Sequence, residues 1–220
     1  MANASPATLL SRRFPSKRAF VTGAASGLGL AMARLLARDG WTLGVLDLDR
    51  EALESAVAQL RTSGAANVTA YPGDVAVHDF VAAAITGFSQ ANQGLDVMVN
   101  NAGVAVAGAV EATPVDDWNW IVGINLLGVV WGCRTALPVM KRQGSGLIFN
   151  IASSAGFAAA PQMSAYNATK AGVIALSETL ASELAGTGLQ VSCAMPGFFR
   201  THLLDHMRAP PEENRLAHRI

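Results

Sequence analysis

Charge and cysteine are both scarce in this sequence. Only 15% of its 220 residues are charged, and Lys plus Arg balances Asp plus Glu at 16 each. A neutral chain without a long basic run gives no electrostatic footprint for nucleic acid or for an anionic membrane as partner. The short cluster Arg12, Arg13, Lys17 and Arg18 reads as a solvated N-terminal face. The two cysteines, Cys133 and Cys193, stand 60 positions apart in apolar runs. They offer no disulfide framework and read as buried free thiols of a reducing compartment. His78, His202, His206 and His218 have no metal-type spacing with cysteines or carboxylates. His202 and His206, four apart, read as one face of a surface helix, and no metal is expected. Long apolar runs are missing too. The longest helical one, Ile121 to Cys133, is interrupted by Asn125 and glycines and falls short of the roughly 20 residues that a membrane span needs. Met1 to Leu10 lacks the basic start and apolar run of a signal peptide, so the expected location is the cytoplasm.

What the sequence has is apolar material, 51% of the chain, enough for a large core and too much for a disordered segment. Short apolar runs alternate with helical patterns. Strands are predicted at Arg18–Thr22, Thr42–Asp47, Val68–Tyr71, Leu95–Asn100, Leu147–Ala152 and Gln190–Ala194, most of them continuous in Val, Ile, Leu and Phe, as strands covered on both faces should be. Helices are predicted at Leu28–Asp39, Arg50–Ser63, Asp79–Gln93, Val115–Arg142 and Ala165–Ala185. Thr113-Pro114-Val115-Asp116 reads as a capping box with proline at the first helical position. Gly40, Gly64, Gly94 and Gly144 stand where helices should end in a left-handed residue. The alternation predicts an α/β fold, a doubly wound parallel sheet of Rossmann type in a three-layer α/β/α sandwich. It runs without a linker or repeat, so 1–220 is read as a single domain with 1–16 as an N-terminal arm.

The first predicted strand leads into Thr22-Gly23-Ala24-Ala25-Ser26-Gly27-Leu28-Gly29 and then a helix. Such a turn offers free backbone N–H groups and the positive end of a helix dipole to a pyrophosphate, and its glycines let the chain approach the phosphates and pack the helix on the sheet. Gly23, Ser26, Gly27, Leu28 and Gly29 are therefore candidate cofactor residues. Asp47 ends the second strand 18 positions after Gly29, where a carboxylate binds the adenosine ribose diol and repels a 2′-phosphate. With no Arg or Lys inside the turn, NAD is expected rather than NADP; Arg50 is the feature that speaks against it. Asp74, in Gly73-Asp74-Val75 after the third strand, is placed to reach the adenine amino group or else to cap a helix.

Tyr166 and Lys170 are four apart in a helical pattern, so they share one face. Ser153 precedes Tyr166 by 13 positions, at the end of the fifth strand, where such sheets present ligands. Hydride transfer at a carbinol carbon also needs a proton to move at the oxygen. A free phenol, with a pKa of about 10, is a poor base at neutral pH, and bringing it to about 7 takes roughly 4 kcal/mol. A cation about 4 Å away at an effective dielectric of about 20 supplies about that much. Lys170 is the candidate cation, and Ser153 the donor that holds the substrate oxygen against the tyrosine.

Taken in order, the glycine turn, Asp74, Asn100-Asn101-Ala102-Gly103, Ser153, Tyr166-Asn167-Ala168-Thr169-Lys170 and Pro196-Gly197 strongly resemble the short-chain dehydrogenases/reductases, from about Lys17 to Thr201. The resemblance implies that Asn101, Ala102 and Gly103 steady the central strand beside the cofactor. It implies that Asn125 holds a water linking the lysine to solvent, completing a tetrad with Ser153, Tyr166 and Lys170, and that Lys170 binds the nicotinamide ribose. Pro196, Gly197 and Thr201 would hold the nicotinamide end, and the chain would assemble as a homodimer or homotetramer through the helices around Asn125 and Tyr166. Relatives carry further helices and a seventh strand, whereas here Pro210-Pro211-Glu212-Glu213 reads as the start of a helix cut short. The expectation is a natural C-terminus longer than this one. The function expected is NAD(H)-linked interconversion of a secondary alcohol and a ketone. Loop residues Val104, Val106, Phe157, Pro161, Met163, Phe198 and Phe199 point to an apolar or ring-bearing substrate. The alternative is a non-catalytic dinucleotide-binding regulator on the same fold.

Overall fold

All six predicted strands form, and they pair in parallel in the order β3-β2-β1-β4-β5-β6. The computed structural model describes residues 8–197 and 207–209. The strands are β1 (Arg18–Thr22), β2 (Thr42–Asp47), β3 (Asn67–Pro72), β4 (Val97–Asn100), β5 (Gly146–Ile151) and β6 (Leu189–Ala194). Between them run α2 (Gly27–Arg38), α3 (Arg50–Thr62), α4 (His78–Ala91), α5 (Val115–Val122), α6 (Gly128–Gln143) and α7 (Ser164–Glu183), after a short α1 (Leu9–Arg13). The order reverses between β1 and β4, and at such a switch point the two neighbouring loops part and leave a crevice at the carboxyl ends of the strands.

The sheet separates two apolar layers, and strand alternation sorts residues between them. Phe20, Leu46, Met98 and Ile148 face the layer that contains Phe88, Met140 and Val173. Their neighbours Ala19, Val21, Val45, Val97 and Val99 face the layer of Trp41, Leu53 and Leu60. β1, β2 and β4 are buried nearly throughout, whereas the edge strands β3 and β6 are partly open. Continuous apolar runs therefore mark the middle of the sheet. The predicted terminal glycines Gly40, Gly64, Gly94 and Gly144 all have positive φ.

Three local readings need correction, and the N-terminal arm gains detail. The capping box does not form: Pro114 is the N-cap of α5, and the Thr113 hydroxyl turns back to donate to Ala109 O at 2.9 Å. The N-terminal arm is partly helical. Thr8 caps α1 by accepting from Ser11 N–H, Phe14 is buried, and the hydroxyls of Thr8 and Ser11 donate to the Asp39 carboxylate. Arg18 is not part of a solvated face: its guanidinium pairs with the buried Asp96 at 2.8 Å. Lastly, the long helix is interrupted by a π-helical turn, Gly123–Leu127, between α5 and α6. Together these three pieces run from Val115 to Gln143, 29 residues that by length and composition alone suffice to cross a membrane. Gly128, Gly132, Cys133, Ala136 and Met140 are nevertheless buried, and Cys133, Ala136 and Met140 belong to the core layer, as in a core helix.

Candidate active site

The crevice at the switch point is a cleft of about 650 Å³. One wall is the glycine turn after β1. Ser26 is the N-cap of α2 but makes no side-chain cap bond, so the first N–H groups of the helix are left for another acceptor. Gly27 has φ +52°, and a Cβ there would meet nothing within 4 Å, so it borders open space. Gly29 does not line the cleft; it is buried, and a Cβ there would lie 2.0 Å from Gly23 O. Its lack of a side chain is what lets α2 close on the turn. Gly23, Ser26, Gly27 and Leu28 all line the cleft. The turn is fixed from the β4 side: Asn101 Nδ2 donates to Thr22 O (2.9 Å) and Gly23 O (3.0 Å). The N–H groups of Asn101 and Ala102 donate to Thr22 Oγ1 at 3.0 and 3.1 Å. The sequence reading missed Thr22; its position at the end of β1, against the turn, was the available signal.

Asp47 and Asp74 stand at the same end of the cleft. Asp47 Oδ2 accepts from Ala25 N–H at 2.9 Å and Oδ1 from Asp49 N–H at 3.2 Å. The carboxylate is thus held at the strand end before any ligand arrives. Asp49 caps α3, accepting from Ala52 N–H at 3.0 Å. Asp74 Oδ1 accepts from Ala76 N–H at 2.8 Å, a turn-capping role, and the carboxylate still borders the cleft with Val75. Among the described residues that line the cleft, Lys170 is the one basic side chain; Arg50, the feature against NAD, is exposed and outside the lining. Leu48, exposed at 69%, was not foreseen and lines this end.

The other end holds Gly103, Tyr166, Lys170 and Pro196. α7 carries Tyr166 and Lys170 on one face, both buried. Lys170 Nζ donates to Ile151 O at 2.9 Å and lies 5.8 Å from the centre of the Tyr166 ring. Ser153 caps a 3-10 turn, Ser154–Gly156, and its Oγ accepts from Ala155 N–H at 3.1 Å. Burial pushes the Tyr166 phenol up, and a hydrogen bond with the Ser153 side chain offsets only part of that. Burial is thus the larger influence on the phenol. The lysine itself is desolvated: burial pulls its ammonium down to about 8, against a smaller opposing effect from Cys193.

Asn125 sits within the π-helical turn, fully buried. Its carboxamide pairs with both backbone groups of one residue, accepting from Val104 N–H at 2.8 Å and donating to Val104 O at 2.9 Å. The turn brings this side chain to the loop after β4, and such π-bulges recur at functional sites. Of the remaining predicted residues, Pro196 O accepts from Ser154 N–H at 3.0 Å, and Gly197 is exposed and outside the cleft lining. Thr201, Phe198 and Phe199 lie outside the described residues. Of the expected apolar substrate wall, Val104 lines the cleft, while Val106 and Met163 pack with Tyr166. Phe157, at 89% exposure, and Pro161 project to solvent, because Gly156 lies flat against α7 and the chain turns outward after it.

The arrangement can bind a dinucleotide along its length and move a proton at its far end. Glycine backbone at one end, a free helix N-terminus and a fixed carboxylate fit the pyrophosphate and ribose of such a group. Comparisons with known proteins point the same way. The model of the short chain dehydrogenase family matches residues 17–212. The chain is 39% identical over 201 residues to the 2-(R)-hydroxypropyl-CoM dehydrogenase of Xanthobacter autotrophicus, covering 90% of this chain and 80% of that protein. It is 34% identical to the D-beta-hydroxybutyrate dehydrogenase of Rhizobium meliloti, covering 86% and 74%. A crystal structure of a short chain dehydrogenase/reductase from Burkholderia phymatum in complex with NAD superposes with a TM-score of 0.83 at 37% identity, covering 86% of this chain and 68% of that one.

Proposed function

The chain belongs to the short chain dehydrogenase family, and on that footing we propose that it interconverts a secondary alcohol and a ketone with NAD(H). The observation that carries this reading is a single cleft with Asp47 and the glycine turn at one end and Tyr166 and Lys170 at the other. The relatives named as dehydrogenases of a hydroxypropyl and a hydroxybutyrate compound support the alcohol. Asp47, held by two backbone N–H groups in a part of the cleft without a cation among the described residues, supports NAD over NADP, because a 2′-phosphate there would meet a carboxylate unneutralised.

The bound nicotinamide supplies the hydride acceptor or donor. This chain's residues do the rest. Ser153 donates to the substrate oxygen and fixes its distance from the phenol. Tyr166 gives a proton to that oxygen in reduction and takes it back in oxidation. Lys170 stabilises the phenolate form and binds the ribose, and Asn125 holds the loop at Val104 and the water that relays protons to solvent. Since burial favours the protonated phenol, Tyr166 at neutral pH is poised to give its proton, and its action as a base is helped by rising pH. Ketone reduction should therefore run well near pH 7, while alcohol oxidation should climb as pH rises into the alkaline range.

Turnover followed at the reduced-nicotinamide absorbance band, with alcohols and ketones and with NAD or NADP, tests this reading. Tyr166→Phe should lower kcat by about a thousandfold or more, general acid–base catalysis being worth about 10²–10⁴, while NAD binding is retained. NAD binding without turnover of any alcohol or ketone would favour the non-catalytic regulator instead.

A further inference from the structure

Residues 207–209 return to the loop that follows β4 and pair with it. Arg208 N–H donates to Ala105 O at 3.1 Å, Ala107 N–H donates to Arg208 O at 2.9 Å, and Val106 and Arg208 form a parallel bridge. In an extended segment neighbouring side chains point to opposite sides, and they do so here. Arg208 turns outward, its guanidinium 3.6 Å from the centre of the Trp120 ring and 2.8 Å from Asp117 Oδ1. Asp117 and Trp120 are three apart on α5 and so share a face, which makes a charged and an aromatic grip for one cation. Met207 turns inward, onto the cluster of Ala105, Val106, Ile121, Ala165 and Tyr166, which Met163 also packs against. The cluster adjoins the cleft through Tyr166 and Val104, which belong to both.

We propose that Met163 and Met207 form the wall that receives the apolar arm of the substrate beside Tyr166, and that Arg208 is the positioning residue that holds Met207 in that wall. The proposal rests on the alcohol-oxidoreductase reading above and names its substrate class: an uncharged secondary alcohol, or its ketone, with an apolar substituent on the carbinol carbon. A carboxylate arm laid on this wall would lose its water against two thioethers and, among the described residues of the wall, gain no ion pair, since Arg208 is engaged by Asp117. Two unbranched thioethers adapt to apolar chains of varied shape.

The test uses the full chain with NAD+ and a ladder of alcohols, 2-propanol, 2-butanol and 2-octanol, with 3-hydroxybutyrate as the charged comparison. Wild type should show KM falling along the ladder. Arg208→Ala should raise KM for 2-octanol about tenfold, the worth of one stacked, paired guanidinium. It should leave kcat and NAD+ affinity within about twofold, the range expected away from the chemistry. Arg208→Lys should recover part of the loss. Met207→Ala should flatten the chain-length dependence. Equal KM changes for 2-propanol and 2-octanol, or none, would overturn the positioning role, and a higher kcat/KM for 3-hydroxybutyrate than for 2-octanol would overturn the substrate class. A wild type that binds NAD+ but oxidises none of these overturns the alcohol reading alone. The wall is then judged by titrating 2-octanone against tryptophan fluorescence: saturation in wild type and none in Met207→Ala upholds it, and no difference sinks it.

Discussion

Lys170→Met should make the protein more stable at neutral pH while abolishing turnover. Lys170 is 4% exposed, and burial brings its ammonium from an ordinary 10.5 down to about 8. At pH 7 the folded chain therefore holds a charge in a place that disfavours it, and that fall in pKa corresponds to about 3 kcal/mol. Methionine keeps the length and removes the charge. It also leaves Ile151 O without the 2.9 Å bond from Nζ, a loss of about 1–2 kcal/mol for a buried acceptor. Desolvation is the larger effect, so the variant should gain about 1–2 kcal/mol. For a chain of this size that means a Tm higher by about 4 °C. The pH dependence separates this cause from any other. Between about pH 8 and 10.5 the unfolded chain binds a proton that the folded chain has released, so the stability of wild type relative to the variant rises with pH. The advantage of the variant should shrink or vanish by pH 10. Thermal unfolding by circular dichroism without nucleotide, at pH 7 and pH 10, measures both points. A variant less stable than wild type at pH 7, or one with the same advantage at both pH values, would show that the buried charge does not set the difference.

Two further outcomes follow from contacts elsewhere. Burial raises the Asp39 carboxyl, but hydrogen bonds from Ser11, Thr8 and Trp41, with Lys17, outweigh it and hold the group at about 2. Its contribution is present above the ordinary 3.8 and lost as pH falls from about 4 through 2. Asp39→Asn should flatten that part of the acid-unfolding curve and cost about 1–2 kcal/mol at pH 7, after allowance for solvent screening. At Gly156, a Cβ would lie 2.7 Å from the Lys170 carbonyl carbon and 2.8 Å from Ala171 N, backbone atoms that cannot give way. Gly156→Ala should push the 3-10 turn off α7 and move Ser153 with it. Steady-state kinetics should show kcat lower by about 10- to 100-fold, the effect of misplacing a positioning group by about 1 Å, with NAD binding unchanged by titration.

The sequence was most legible where one local pattern dictates one structure. Continuous apolar runs marked β1, β2 and β4 to within a few residues at most, because strands covered on both faces can contain little else. Asp47 was legible because a carboxylate at the end of the second strand has one geometry relative to a glycine turn after the first. Tyr166 and Lys170 were legible as a helical pair. Local pattern failed where a residue had a competing partner close by. Thr113 had the composition of a cap, yet a carbonyl four residues back was the nearer acceptor. Phe157 had the composition of a pocket wall, yet Gly156 packed against α7 and turned it to solvent.

Pairing across long separations leaves no local trace, and here it shapes the loop after β4. Arg208 and Asp117 are 91 positions apart, and nothing in the composition of either neighbourhood announces the other. The same holds for Asn125, whose match to the family implies a water-holding role, while its bonds to Val104, 21 positions away, also make it a brace for the loop. The cofactor end is different in kind. Its glycines, Asp47 and the start of α2 are joined by one strand–turn–helix unit and its neighbouring strand, so short-range spacing carries most of the geometry. The proposed substrate wall, assembled instead from Met163, the loop after β4 and residues 207–209, can change with any one of them. The glycine turn and Asp47 are thus legible in nearby residues, whereas the proposed substrate wall lies in contacts between distant ones.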